Sequence, residues 1–242
     1  MIKLEVCVDS LESVQYAVLG GADRIELCSS LSEAGLTPSL GLFEGAKRIT
    51  ENTKTKLFVM IRIRGGNFNY SQEEIEAMIE DVKYFKSHNA DGIVFGALDE
   101  SFEIDEESCR KLLQIWGHEK PATFHRAFDE TKIEKIDDNV RKIASLGFTR
   151  ILTSGFESTA EKGIENLKLI KKVADEVNLL ILPGSGVNKN NAKLIIDQTN
   201  CKEIHGSARS ERNIQTKLSL GGEKIYVCER IKVEEILRIL NT

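Results

Sequence analysis

The run GGADRIELCSSLSEAGLTPS, residues 20–39, decides how the rest of the chain is read. It divides into a glycine turn, a short strand at 24–28, and a loop that closes on Pro38-Ser39 at a helix start. Alternate residues of a strand face the same side, so Glu26 and Cys28 share one face and Ile25 and Leu27 the other. A carboxylate in the middle of a buried strand is costly unless it is paired. The first strand, Leu4-Glu5-Val6-Cys7-Val8, repeats the pattern with Glu5 and Cys7 on one face. Two consecutive strands that each give an inward position to glutamate predict a polar pocket at the heart of the fold.

Outward from this stretch, short apolar runs alternate with helical patterns to the end of the chain. Strands are predicted at 3–8, 24–28, 56–62, 92–95, 122–125, 150–153, 179–183 and 202–206. Ile75, Met78, Ile79, Val82 and Phe85 make one helical stripe, and Ile164, Leu167, Ile170, Val173, Ala174 and Val177 another. Ser71-Gln72-Glu73-Glu74 reads as a capping box, Ser10 as a helix start, and Gly20 and Gly147 as helix stops. Eight such units fit a (β/α)8 TIM barrel of about 250 residues, one domain over residues 1–242. A doubly wound open sheet is the alternative, and eight units without a linker speak against it. Residues 207–230, with Gly221-Gly222 inside them, read as a long loop before a last helix near 233–240.

A net charge of −5 with no basic stripe excludes nucleic-acid binding by bulk charge. No apolar run approaches membrane-spanning length, and the first strand begins almost at Met1, so a cytoplasmic location is expected. The five cysteines are scattered without a C-x-x-C pair, which supports neither a disulfide framework nor a zinc ribbon.

Barrel sites lie at the C-terminal ends of the strands. Glu5, Glu26, Arg62, His125 and His205 all take the inward parity, and together they make a candidate acid–base constellation. Each alone is as readily a member of a buried ion pair. His88 and His118 fall at the opposite end and are expected to play no part in function. The loops after strands seven and eight are the usual phosphate position of such barrels, which makes Gly184, Gly186, Gly206 and Ser207 candidate anion ligands, with Arg209 beside them. For a metal, Cys7 and Cys28 on adjacent strands, with Met60 nearby, form a soft donor set suited to Cu(I), although free Cys and Met are also ordinary barrel filling.

The segments GADRIELC (21–28), GLTPS (35–39), TFHRAFD (123–129), RILTSG (150–155) and EIHGSA (203–208) resemble the CutC family of copper homeostasis proteins over nearly the whole chain. Ile63, Asn67 and Ser185 depart from that pattern. The resemblance implies a TIM barrel, a cytoplasmic protein that self-associates, and a role associated with copper. The residues themselves also suggest an isomerase- or lyase-type barrel enzyme acting on a small anionic or phosphorylated metabolite. In that case Glu26 or Glu5 is the base, His125 or His205 the acid and Arg62 the charge stabiliser. The expected partner is thus a small anionic ligand or a copper ion.

Overall fold

In the computed structural model, residues 1–216, 218 and 224–241 are described. Strands β1 (Lys3–Val8), β2 (Arg24–Leu27), β3 (Lys56–Met60), β4 (Gly92–Phe95), β5 (Ala122–Phe124), β6 (Arg150–Thr153), β7 (Leu180–Pro183) and β8 (Glu203–Gly206) form one parallel sheet. Its order, β7-β6-β5-β4-β3-β2-β1-β8, puts the first strand beside the last. That order closes the sheet into a barrel and excludes the doubly wound alternative. The seam falls between β7 and β8, which lie side by side without a ladder.

Helices α1 (Leu11–Leu19), α2 (Leu40–Thr50), α3 (Gln72–Ser87), α4 (Glu106–Trp116), α5 (Ile136–Leu146), α6 (Ile164–Glu176), α7 (Ala192–Thr199) and α8 (Arg230–Leu240) form the outer ring. The cap signals act where the sequence puts them. Ser10 and Ser39 accept from the N–H groups of Ser13 and Leu42, and Ser71 and Glu74 form a reciprocal capping box. Gly147 ends α5 at φ 103°. Gly20 ends α1 for a different reason: its φ is −76°, and a Cβ there would stand 2.6 Å from Val233 Cβ. Glycine at 20 therefore lets α8 pack against the turn.

Parity governs the core. Leu4, Val6, Ile25, Leu27, Leu57, Val59, Ile61 and Phe124 point out into the helical layer and are buried there. Phe58, Met60, Val94 and Cys28 make a separate apolar patch on the inside. Residues 207–230 are not one long loop. β9 (Arg209–Asn213) and β10 (Lys224–Cys228) pair antiparallel as a ribbon that leads into α8. Gly221-Gly222 lie outside the described residues. No helix among the described residues is long and apolar enough to cross a membrane.

Candidate functional site

The barrel interior is built in layers. The lowest is ionic: Arg24 Nη2 donates to Glu203 Oε2 at 2.7 Å and Arg24 Nε to Glu5 Oε2, while Arg150 Nε reaches the same Glu203 oxygen at 2.7 Å. Phe58 lies under both guanidinium groups, with Cζ distances of 4.9 and 5.3 Å to its ring centre. Burial pushes the Glu5 and Glu203 carboxyls up, but Arg24 with His205 outweighs it at Glu5, and Arg24 with Arg150 at Glu203, and both stay below the usual carboxylate range. Glu5 therefore belongs mainly to this ionic floor. Arg24 and Arg150 went unnoticed in the sequence, although Arg24 has the same parity as Glu26.

The next layer follows from strand register. Glu5 pairs with His205 across β1 and β8, and Cys7 pairs with Glu26 across β1 and β2. His205 Nδ1 is 2.7 Å from Glu5 Oε1, and its Nε2 is 3.9 Å from Glu26 Oε2. One donor atom each from Cys7, Glu26 and His205 lie within 4.8 Å of one another. Burial alone would lower the pKa of His205, but interactions with Cys7 and Glu26 and the hydrogen bond to Glu5 hold it well above its usual value. Burial, reinforced by the charge of Glu5 against the opposing pull of His205, pushes the Glu26 carboxyl up to about 7. Cys28 is not part of this cluster. Its thiol, fully buried in the Phe58–Met60–Val94 patch, is 3.6 Å from Glu26 Oε2, and burial pushes it well above the usual thiol range.

Above these layers a cavity of about 860 Å³ opens to solvent, lined among others by Cys7, Glu26, Arg62, His125, Val187 and His205. Arg62 and His125 sit one or two residues past the ends of their strands, so β3 and β5 stop short of the predicted bounds. The loop of the organising stretch builds one wall. Ser29 and Leu36 pair, Thr37 Oγ1 accepts from Arg62 N at 2.9 Å, and Arg62 Nη1 donates to Glu33 O at 2.6 Å. Asp129, which follows β5, clamps the end of β6 by accepting from Ser154 N at 3.0 Å, from Phe156 N at 3.2 Å and from Thr153 Oγ1. It joins the TFHRAFD and RILTSG segments as a brace.

The candidate anion loops line the opposite wall through Ser185, Gly186, Gly206 and Ser207. Gly184 does not serve there, because its N–H is bonded to Thr153 O at 2.9 Å. Gly186 has φ +71°, and a Cβ on it would meet Thr159 Cγ2 at 3.0 Å, so a side chain there strains the loop whether or not an anion is bound.

The protein is an eight-stranded parallel barrel with a thiol, an imidazole and a carboxylate gathered on the floor of a polar cup. The CutC family model matches residues 2–210, and the chain belongs to the CutC family. A human relative named copper homeostasis protein cutC homolog is 45% identical over 212 residues, 87% of this chain and 74% of that one. A CutC family protein of Aliivibrio fischeri is 43% identical, over 93% of this chain and 89% of its own. The crystal structure of the putative copper homeostasis protein CutC of Streptococcus agalactiae superposes with a TM-score of 0.81 at 32% identity, covering 86% of this chain and 99% of that one. Thiamine phosphate pyrophosphorylase of Pyrococcus furiosus shares the fold alone, with a TM-score of 0.63 at 18% identity.

Proposed function

We propose that the protein serves copper homeostasis by binding Cu(I) on the cup floor through Cys7 Sγ and His205 Nε2. The observation that carries this is the convergence of the Cys7, Glu26 and His205 donor atoms within 4.8 Å, with Glu5 Oε1 2.7 Å behind His205 Nδ1. A carboxylate behind one imidazole nitrogen fixes the proton there, and a metal ion that binds at the other displaces the proton from it. A thiolate with an imidazole is a soft-to-borderline set that suits Cu(I). His205 thus takes the place that the sequence reading gave to Cys28. The names of the relatives support the physiological role. A cytoplasmic location and self-association belong to the same proposal, and five free cysteines fit a reducing compartment.

Anaerobic Cu(I) titration against a competing chelator tests it. Cys7→Ser should abolish tight binding, His205→Gln should weaken it at least about tenfold, or roughly 1.4 kcal/mol, and Cys28→Ser should leave it nearly intact. Binding that survives Cys7→Ser overturns the proposal.

A second reading is favoured by polar atoms left without partners in the same cavity. Glu26 Oε1, Arg62 Nε and His125 Nε2 are buried and make no hydrogen bond among the described residues. They suit a barrel enzyme, isomerase or lyase in type, acting on a small anionic metabolite, with Glu26 exchanging the proton.

A further inference from the structure

Arg62 is a buried cation without a counter-ion among the described residues. It is 4% exposed, and the acceptors of its terminal nitrogens are all neutral carbonyls: Glu33 O at 2.6 Å, Gly35 O at 3.2 Å and Gly66 O at 2.8 Å. It makes no ion pair among the described residues, and its Nε has no acceptor. Tyr70 lies near it, but burial raises that hydroxyl to about 12 against the pull of Arg62, so Tyr70 brings no negative charge. The contrast with the barrel floor is direct, because Arg24 and Arg150 both meet carboxylates there. A buried charge is costly unless it is paired, so the fold leaves at Arg62 an unmet demand for an anion.

His125 stands beside it. The Phe68 ring packs on both, 4.9 Å from Arg62 Cζ and 4.7 Å between ring centres from His125. His125 is 3% exposed, and its Nδ1 accepts the Ala127 N–H at 3.2 Å. Burial and the Arg62 charge depress its pKa to about 3, so the ring is neutral. With Nδ1 committed as an acceptor, the single ring proton sits on Nε2, and that N–H has no acceptor among the described residues. Glu26 Oε1 is also buried and without a partner among the described residues, and Glu26 lines the same cavity as Arg62 and His125.

We propose that Arg62 and His125 hold the oxyanion of a small hydroxylated organic acid, a carboxylate or a phosphate ester, in the cup. Arg62 supplies the counter-charge, His125 donates from Nε2, and Glu26 accepts from a hydroxyl of the same molecule. The anion therefore seats on the β3 and β5 side of the mouth, and not on the Gly186 and Gly206 side. This rests on the reading of the cup as a metabolite site and is independent of copper.

Thermal melting with glycerate and with glycerol 3-phosphate tests the assignment, because both are small hydroxylated anions of the two candidate types. A bound ligand raises the melting temperature by mass action. At least one probe should raise that of the wild type by several degrees, and the larger shift identifies carboxylate or phosphate. Arg62→Gln should lose the response, but it also loosens three loop hydrogen bonds. His125→Asn is the cleaner variant: asparagine caps the Ala127 N–H as histidine does, and it lacks the Nε2 donor. That variant should fold with little loss and give at most about a tenth of the wild-type affinity. No shift with either probe, or an equal shift in His125→Asn, overturns the proposal. Binding without turnover removes only the enzyme reading and leaves this site standing.

Discussion

His125 is held neutral by its surroundings, and this has a measurable sign. Its pKa falls from 6.5 to about 3 on folding, through burial first and the Arg62 charge second. The unfolded chain takes up the proton as pH falls through 6.5, whereas the folded protein refuses it until about 3. Histidine 125 therefore subtracts stability in that window as pH falls, by at most about 1.4 kcal/mol per pH unit. Urea melts between about pH 4 and pH 7 should show the wild type losing more stability in acid than His125→Asn does. Parallel pH curves for the two proteins would contradict the neutral-donor assignment.

Strand register, one level up, decides which charges meet. Glu203 is shared by Arg24 and Arg150, from β2 and β6. Glu203→Ala leaves two buried arginines short of an acceptor and should destabilise the barrel by about 3–5 kcal/mol. An exposed helix pair such as Lys83–Glu80 should contribute well under about 1 kcal/mol by comparison. A loss below about 1 kcal/mol for Glu203→Ala, read from denaturant melts, would mean that the floor network does not hold the strands together. The eight strands were legible because each is an apolar run with a fixed parity, and parity alone aimed Glu26, His125 and His205 inward. Parity does not say which inward residues touch. The neighbours of Glu5 follow from the β1 register with β2 and β8, which pairs residues far apart in sequence. The β9–β10 ribbon escaped notice because Arg-Ser-Glu-Arg-Asn at 209–213 has no apolar alternation. Cross-strand contacts take its place: Lys224 Nζ sits 2.7 Å from Glu211 Oε1, and Arg209 lies 4.9 Å over the Tyr226 ring.

At the scale of the whole molecule, the outer faces of the strands make the core and the inner faces make the chemistry. The ionic floor closes the bottom of the barrel and fixes Glu5 against His205. Above it the Cys7–Glu26–His205 cluster and the Arg62–His125 wall share one cavity, to which the two proposals give two different occupants, a soft cation and an anion. X-ray absorption at the copper edge, on protein loaded anaerobically with a single equivalent of Cu(I), tests the copper proposal most directly. The account predicts a shell with one sulfur and one imidazole nitrogen, with the sulfur lost in Cys7→Ser and both kept in Cys28→Ser. A shell of two sulfurs without an imidazole nitrogen, or a spectrum that Cys7→Ser leaves unchanged, would contradict it.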